Sequence, residues 1–353
     1  MKTLPADKLR IIDANLNRIG EGLRVLEEFA RLSLNNARLT RQLKSLRHKI
    51  VHIDTALQQE LLQARDAAGD VGAGMTAPGE VRRSSAAETI IANSRRVQES
   101  LRVMEEMAKE PGLKLESDDY EKARFELYTV EKELVSGMLR QDRIKRLTGL
   151  YVIIDTEFLR GRNPLEVAEE AIKGGVKIIQ LRDKKDNIRD FFYIAVGLKK
   201  LCAEHDVLFI VNDSLEVALA ARADGLHIGQ DDLPVAIARR LLPIDKMLGV
   251  SARTIEEAGA AQAEGADYLG VGAIYSTATK AGAEVVGPAR VTEIKEKINL
   301  PVVAIGGIDK SNAGAVLKAG ACAVAVISAV MGAPDIEKAT RQLVEIIEGE
   351  KRG

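Results

Sequence analysis

The second half of the chain alternates short β-type runs with helix-like stretches. Eight such runs occur, and each is followed by a helical segment. They cover residues 150–155, 177–181, 208–211, 225–228, 247–250, 268–271, 302–305 and 323–327. Eight βα units in about 205 residues fit a compact (β/α)₈ TIM barrel, which closes a parallel sheet on itself. This rhythm predicts an α/β barrel from residue 146 to residue 353.

An open, doubly wound sheet is the alternative arrangement for the same alternation of strands and helices. No GxGxxG motif follows the first β-type run, so a dinucleotide-binding fold of this class is disfavoured. Several helical segments end in small turns such as Glu264-Gly265-Ala266, where glycine tolerates left-handed backbone geometry. The barrel therefore remains the preferred prediction.

Residues 1–145 have a different rhythm, because apolar positions there recur at helical spacing and no convincing strand occurs. This half contains an internal repeat, in which residues 14–31 match residues 92–109. Eight of the fourteen positions from Arg18 to Arg31 are identical to those from Arg96 to Lys109. Two copies of one helical unit predict an all-α domain built as a pseudo-twofold bundle.

The length of 353 residues is more than one compact domain usually holds, which favours a two-domain chain. The stretch 65–74 (RDAAGDVGAG) separates the two copies and is too rich in glycine for a helix, so we expect an ordered loop there. A charged helical stretch, residues 117–147, leads into the second half without an obvious linker. We therefore expect the two domains, 1–145 and 146–353, to be in contact.

Composition disfavours several classes of partner. The formal net charge is −1, Trp is absent and aromatic residues make up 3%, so neither nucleic acid nor an anionic membrane is an expected partner. No apolar stretch is long enough for a signal region or a spanning helix. Cys202 and Cys322 lack metal-ligand spacing and suit a reducing cytoplasm. The sequence is compatible with a homo-oligomer but does not fix the oligomeric state.

Short polar motifs stand where the β-type runs end. They are residues 180–184 (QLRDK), Asn212 and Asp213, residues 227–232 (HIGQDD), Ser251, residues 277–280 (TATK), Gly306 and Gly307, and Ile327 and Ser328. A TIM barrel collects its active-site groups from the carboxyl ends of its strands. We therefore expect these residues to meet on one face of the barrel.

Two of these residues, Asp213 and Asp232, follow the third and fourth runs. Carboxylates from neighbouring strand ends can share one ion, and a small set of oxygen ligands suits Mg²⁺. An aspartate at a strand end also commonly caps the following helix. The presence of a pair beside Asn212 and His227 favours the metal.

Positive charge comes from Arg182, Lys184 and Lys280, which suit a pyrophosphate group. A second anion site is expected at Gly306-Gly307 and Ile327-Ser328, since the loops after strands seven and eight commonly bind phosphate in TIM barrels. Solvated surface charge and a plain glycine turn are the ordinary alternatives. Together the motifs indicate a metal-assisted diphosphate site and a separate monophosphate site.

No nucleophile with an adjacent base stands out among these motifs. His227 could act as a base, but its position is equally that of a structural residue. A diphosphate held by Mg²⁺ and lysine is a good leaving group, so the implied chemistry is charge-assisted C–O ionisation followed by capture by a second, phosphorylated substrate.

The motifs QLRDK, ND, HIGQDD, VSA, TATKA, IGGI and the final IS closely resemble those of the thiamine-phosphate synthase family, over nearly all of residues 148–350. The resemblance implies a Mg²⁺-dependent alkyl transferase. In that reaction hydroxymethylpyrimidine diphosphate loses pyrophosphate to give a pyrimidine-stabilised carbocation. The nitrogen of hydroxyethylthiazole phosphate then attacks it to form thiamine phosphate.

Carried over position by position, the resemblance assigns three groups of residues. The pyrimidine diphosphate would contact Gln180, Leu181, Arg182, Asp183, Lys184, Asn212, Ser251 and Lys280. The thiazole phosphate would contact Thr277, Ala278, Thr279, Gly307, Ile327 and Ser328. Mg²⁺ would bind Asp213 and Asp232. Lys280, Ser251 and Arg182 are the catalytic candidates, and Asp183 stands where many relatives carry glutamate.

The helical half resembles the ThiD2 domain, through RIGEGLRVLEEFAR, RDAAGDVG and NSRRVQESLRVMEE. The resemblance implies a hydroxymethylpyrimidine-phosphate kinase that uses ATP, although no GxxxxGK[ST] phosphate loop is present. The repeated charges, among them Arg24, Glu27 and Glu28, have three open interpretations: i,i+4 ion pairs on a solvated helix face, a phosphate-handling site, or an interface between the two copies.

Three functions remain open from the sequence. The chain is a bifunctional kinase and coupling synthase, or a synthase with a helical module for dimerisation or docking. The third alternative is another phosphate-binding barrel enzyme, such as the related thiazole tautomerase.

Overall fold

The structure is a computed structural model, and it describes residues 4–66, 69, 83–111, 113–184, 187–277 and 284–352. The chain divides into two compact units, Met1–Gln141 and Asp142–Gly353. Each unit is described by itself below.

The described residues of the first unit form helices joined by short connections, and no strand occurs among them. Its helices are α1 (Ala6–Glu28), followed by a π-helical turn (Phe29–Ser33), then α2 (Ala37–Val51), α3 (Thr55–Ala64), α4 (Ala86–Met107) and α5 (Ser117–Lys145), whose last four residues fall in the second unit. Side chains start several of them, since Asn36, Asp54 and Ser85 accept hydrogen bonds from the first turns of α2, α3 and α4. The predicted all-α architecture of this region is confirmed.

The core of this unit forms where α1 lies against α4. The buried side chains of α1 are spaced three or four residues apart, as the sequence pattern predicts; they include Ile12, Leu16, Ile19, Leu23 and Leu26. At the crossing, a Cβ on Gly22 would lie 2.4 Å from Val97 Cγ2, so only glycine permits this approach. The repeat thus places matching helices in direct contact.

Besides the expected i,i+4 ion pair of Arg24 with Glu28, the repeated charges have a structural role that the sequence did not predict. Buried Glu27 of α1 accepts hydrogen bonds from Arg47 of α2 at 3.1 and 3.2 Å. In the second copy, buried Glu105 of α4 pairs with Arg124 of α5 at 3.0 and 3.3 Å. Each glutamate therefore ties the first helix of its own copy to the second, and the ion pairs do not bridge the copies.

The second unit contains a closed barrel of eight parallel strands within the part of the chain that the structure describes. The strands are β1 (Gly149–Asp155), β2 (Ile178–Arg182), β3 (Leu208–Asn212), β4 (Gly225–Ile228), β5 (Met247–Ala252), β6 (Tyr268–Val271), β7 (Val302–Ile305) and β8 (Ala323–Val326). Each strand pairs with the next in sequence, and β8 returns to β1 with Leu150 opposite Val324. This closure confirms the predicted barrel and excludes the open sheet.

Helices surround the strands. They are α6 (Pro164–Lys173), α7 (Ile188–Glu204), α8 (Leu215–Ala220), α9 (Val235–Leu241), α10 (Ile255–Ala263), α11 (Ala289–Lys297), α12 (Ala313–Lys318), α13 (Ser328–Met331) and α14 (Ile336–Arg352). One hydrophobic core fills the layer between strands and helices, and a second fills the barrel interior. Ile144 and Leu147 belong to the interior core, so the residues just before β1 pack against it.

Two expectations from composition can be placed on this fold. No helix among the described residues has the length and apolar content that crossing a membrane requires. Cys202 is buried and Cys322 is half-buried, and neither is in a disulfide.

Candidate active site

A cavity of about 460 Å³ opens at the carboxyl ends of the barrel strands. This volume lies within the range of pockets that hold small-molecule ligands. Its lining comes from β1 to β8, so the side chains collected there are far apart in sequence. Among the predicted site residues, those lining the cavity are Gln180, Arg182, Lys184, Asn212, Asp213, Asp232, Ser251, Thr277, Gly307, Ile327 and Ser328.

Two predicted site residues have side chains directed elsewhere. Leu181 is fully buried in the core between strands and helices, as expected for the residue after an inward-facing Gln180 in a strand. The carboxylate of Asp183 accepts a hydrogen bond from the Thr156 hydroxyl at 2.6 Å, and the residue is not part of the cavity lining. Ala278, Thr279 and Lys280 lie outside the described residues.

Arg182 is held in place by a partner that the sequence reading missed. Its guanidinium donates to the carboxylate of Asp155, which lies at the end of β1 and is completely buried. The other carboxylate oxygen of Asp155 accepts the backbone N–H of Glu157 at 3.0 Å. Asp155 thus holds one edge of the Arg182 guanidinium, and the residue lines the cavity with the rest of its side chain.

The two predicted metal ligands lie beside each other at one edge of the cavity. Lys184 forms an ion pair with Asp213, and the backbone N–H of Gly229 donates to Asp232 at 2.6 Å. Neither aspartate caps a helix, because Ser214 is the capping side chain of α8 and Pro234 precedes α9. The helix-cap alternative considered for these aspartates therefore does not apply.

The electrostatics of this carboxylate pair fit a divalent cation. Burial is the main cause that raises the pKa of Asp232 above its usual range, and the adjacent Asp213 carboxylate raises it further. Two like charges held this close repel each other, and a hard cation between them would remove that cost. Asp213 also has a backbone φ of 60°, an uncommon conformation for a residue other than glycine.

His227 lies between two hydroxyl groups on the floor of the cavity. Its Nδ1 is 3.2 Å from Tyr268 Oη, and its Nε2 is 3.0 Å from Ser251 Oγ. Burial of the ring lowers the pKa of His227 to about 4, although the carboxylate of Asp232 opposes the shift. The imidazole is therefore neutral at pH 7.

The opposite side of the cavity is made of backbone. Gly306 and Gly307 have φ values of 100° and 65°, in the left-handed region that favours glycine. A Cβ on Gly307 would lie 2.4 Å from the carbonyl oxygen of Ser276. The two loops after β6 and β7 thus approach too closely for a side chain, while Ile327 and Ser328 after β8 line the same region.

Several lining residues were missed because they look like ordinary core positions. Tyr151 and Tyr268 lie in apolar strands and fill the barrel interior, yet their hydroxyl groups are 3.3 Å apart below the cavity. Arg253, an exposed residue outside the polar motifs, lines the cavity from the loop after β5, whereas Gln230 of the 227–232 motif lines it as expected. The sequence could have indicated the two tyrosines only through their hydroxyl groups, which need hydrogen-bond partners at inward-facing strand positions.

Comparison with known proteins gives matches to both halves of the chain. The family described as thiamine monophosphate synthase matches residues 150–330, and the ThiD2 family matches residues 10–133. Thiamine-phosphate synthase from Synechocystis is 40% identical over 346 residues, which is 96% of each chain. The protein of that description from Gloeobacter violaceus is 40% identical over 341 residues, again 96% of each chain.

A solved structure shares the barrel. Thiamine phosphate pyrophosphorylase from Pyrococcus furiosus is 42% identical, with a TM-score of 0.55, and the match covers 59% of this chain and 98% of that one. That alignment accounts for one region of the present chain, whereas the curated relatives extend over nearly all of it. The chain therefore belongs to the thiamine-phosphate synthase family, as an enzyme of thiamine biosynthesis that also carries a ThiD2 region.

Proposed function

We propose that the barrel couples hydroxymethylpyrimidine diphosphate to hydroxyethylthiazole phosphate, producing thiamine phosphate and pyrophosphate. The supporting observation is that one cavity combines two different anion-binding surfaces. Arg182, Lys184 and the aspartate pair lie on one side, and the glycine turn after β7 lies on the other. The names of the curated relatives favour this coupling reaction over the tautomerase alternative.

The side with the charged residues is proposed to bind the diphosphate. Arg182 is oriented by buried Asp155 and lines the same cavity as the carboxylate pair, and Lys184 lies directly beside Asp213. Lys280, assigned from the sequence alone, would add a third positive charge. Gln180, Asn212 and Ser251 are proposed to contact the pyrimidine, which is supported by their common place in the cavity lining.

Asp213 and Asp232 are the residues proposed to hold Mg²⁺. The ion would offset the negative charge that grows on the leaving pyrophosphate. Lys184 now neutralises Asp213 directly, and a bound diphosphate offers this lysine an alternative anionic partner. The carboxylate pair would then be free to act together on one cation.

The side formed by backbone is proposed to bind the thiazole phosphate. Gly307, Ile327 and Ser328 line it, and Thr277 lies on the same wall. Glycine at positions 306 and 307 permits close approach of a phosphate to main-chain N–H groups. Ala278 and Thr279 complete this assignment from the sequence.

The reaction needs no base for its bond-forming step. The C–O bond to the diphosphate breaks and the leaving oxygen keeps the electron pair. The thiazole nitrogen then uses its lone pair to form the C–N bond and becomes the thiazolium nitrogen of the product. No proton is lost in either step, which agrees with a His227 ring that is neutral and hydrogen bonded to two hydroxyl groups.

The coupling proposal is tested with Mg²⁺ and both substrates. Full-length protein is expected to release thiamine phosphate and pyrophosphate in equal amounts, and Asp213→Asn is expected to weaken Mg²⁺ binding measured by calorimetry in the presence of pyrophosphate. Asp206→Asn, at an exposed position before β3 and outside the cavity lining, is the control. Full activity after complete removal of divalent cations would overturn the metal assignment.

For the helical unit, we propose the pyrimidine-phosphate kinase activity that the ThiD2 match suggests, with ATP as donor. The repeat leaves Arg18 and Arg96 exposed, and within the described residues neither forms an ion pair. By contrast, Arg24 and Arg102 pair with glutamates of their own helices. The two exposed arginines are therefore the better candidates for phosphate contacts.

Docking or dimerisation is the competing role for this unit. A coupled assay separates the two: thiazole phosphate is supplied with either the pyrimidine diphosphate, or the pyrimidine monophosphate plus ATP. Thiamine phosphate from both mixtures supports the kinase. Product from the diphosphate alone rejects it, and a change of oligomeric mass on deletion of residues 1–140 would then support assembly.

A further inference from the structure

A continuous chain of hydrogen bonds crosses the barrel interior below the cavity. Gln180 Nε2 donates to Tyr151 Oη at 2.8 Å, and the hydroxyl groups of Tyr151 and Tyr268 are 3.3 Å apart. The chain continues from Tyr268 Oη to His227 Nδ1 at 3.2 Å and from His227 Nε2 to Ser251 Oγ at 3.0 Å. It begins and ends at residues proposed to contact the pyrimidine substrate.

Two strand residues beside this hydrogen-bond chain are glycines, and any larger side chain there would overlap its rings. A Cβ on Gly249 would lie 2.1 Å from Tyr268 Cζ, and one on Gly270 would lie 2.8 Å from His227 Cε1. Glycine within a strand ordinarily weakens it, so its presence beside both rings indicates that the rings require the space. The arrangement is a packed feature of the interior.

Donor and acceptor counts restrict the chain to two directions. Each phenol has one hydrogen to donate, and a neutral imidazole has one N–H and one acceptor nitrogen. Burial raises the pKa of both Tyr151 and Tyr268, so both phenols keep their hydrogens. If every phenol hydrogen is to keep an acceptor within the chain, the reversal of one hydrogen bond requires the reversal of the others. The amide of Gln180 therefore selects the direction at one end.

We propose that the Gln180 amide fixes His227 as its Nε2–H tautomer through Tyr151 and Tyr268, and that this makes the Ser251 hydroxyl a hydrogen-bond donor into the cavity. Tyr151 donates to Tyr268, Tyr268 donates to Nδ1, and Nε2–H donates to Ser251 Oγ. The hydrogen of Ser251 then has no acceptor within the chain and faces the ligand. In the reverse direction Ser251 would donate to Nε2 and offer only an acceptor.

This assignment gives the three interior residues a defined role. Tyr151, Tyr268 and His227 are positioning residues, and Ser251 is the group that meets the ligand. Its partner would be a hydrogen-bond acceptor, either a ring nitrogen of the pyrimidine or an oxygen of the diphosphate. The identity of that ligand rests on the proposed function, whereas the tautomer of His227 does not.

The tautomer is measured first, in ligand-free full-length protein at pH 7 by ¹⁵N NMR of the histidine rings. The protein has four histidines, so the His227 signals can be assigned as those that disappear in His227→Gln. The expected result is a protonated Nε2 and an unprotonated Nδ1. A protonated Nδ1 would overturn the proposal, whatever reaction the barrel catalyses.

Variants then connect the tautomer to turnover. Tyr268→Phe removes the donor to Nδ1 and should produce a mixture of both tautomers, whereas Tyr193→Phe on the exposed face of α7 should leave the ring signals unchanged. We expect Tyr268→Phe and Ser251→Ala each to lower kcat by about tenfold or more, because a tenfold change in rate corresponds to the loss of about one hydrogen bond in the transition state. The KM of thiazole phosphate should change little.

The double variant distinguishes positioning from simple structural support. If Tyr268 acts through Ser251, then Tyr268→Phe/Ser251→Ala should be no slower than Ser251→Ala alone. Two independent losses that multiply in the double variant would overturn the proposal. All five residues of the hydrogen-bond chain lie in the barrel, so this comparison concerns the barrel alone.

Discussion

The two units of this protein use charged residues in opposite ways. In the helical unit, Glu27 and Glu105 are buried and each accepts hydrogen bonds from an arginine of the neighbouring helix. In the barrel, Arg182 and Lys184 also have carboxylate partners, but they line an open cavity. The repeated charges therefore link neighbouring helices, whereas charges that follow β2 to β5 meet at one cavity.

The physical reason lies in how each fold brings side chains together. A helical hairpin juxtaposes residues of adjacent helices, so that Glu27 meets Arg47 twenty positions away. A closed parallel barrel directs the ends of all its strands to one face, so that residues from β1 to β8 converge. The predictions below test whether this division of roles holds.

The largest effect is expected from Lys280→Ala, which should lower kcat by about 10²–10³-fold because one preorganised cation would be lost from the leaving group. Steady-state kinetics with both substrates provides the measurement. Lys297→Ala on exposed α11 serves as the control and should behave as the unaltered protein. An unchanged kcat in Lys280→Ala would remove this lysine from the mechanism.

The next effect concerns the barrel interior. Gly249→Ala should reduce the free energy of unfolding by about 1–3 kcal/mol, because the new methyl group overlaps the Tyr268 ring. The matched control is Gly259→Ala in α10, where the nearest side-chain atom is 3.9 Å from the added carbon. That control should be neutral or stabilising by about 0.5–1 kcal/mol. Equal urea midpoints for both variants would contradict the packing argument.

A smaller change in stability is expected in the helical unit. Glu27→Gln removes the charge that pairs with Arg47 and should cost about 1–2 kcal/mol of local stability. Faster peptide hydrogen exchange in α1 and α2 is the readout, with coupling activity unchanged. Exposed Glu21, at a matched position of the same repeat, provides the control Glu21→Gln, expected within about 0.5 kcal/mol. Loss of coupling activity in Glu27→Gln would mean that this glutamate is not simply structural.

The last prediction concerns pH dependence, whose effect is smallest at pH 7 and grows as the pH falls. Because the pKa of His227 is lowered to about 4 in the folded protein, from the ordinary 6.5, the unfolded chain binds this proton first as the pH falls. The contribution to stability is complete above about pH 6.5 and is lost as the pH falls toward 4. Ring ¹⁵N chemical shifts that show a neutral His227 imidazole at pH 5.5 would confirm the lowered pKa. Protonation near pH 6.5 would contradict it.

Much of the barrel could be predicted from local pattern. The runs 225–228, 268–271 and 302–305 coincide with β4, β6 and β7. The other runs differ from the observed strands by one or two residues at an end, as at β5, which continues to Ala252. Strand ends are hard to place because the last hydrogen bonds depend on the neighbouring strand. Most of the predicted site residues nevertheless line one cavity at the carboxyl ends of the strands, since every strand of such a barrel ends on that face.

The sequence alone determined the eightfold alternation, the helical repeat and the polar residues available at the strand ends, because each depends on spacing along the chain. Only the tertiary structure decided which groups became partners. Asp155 meets Arg182, Glu27 meets Arg47, and Tyr151 meets Tyr268 across 117 positions of sequence. A hydrogen bond or ion pair needs two groups within about 3 Å. Spacing along the chain does not set that distance between residues of different elements, since barrel closure and helix packing set it.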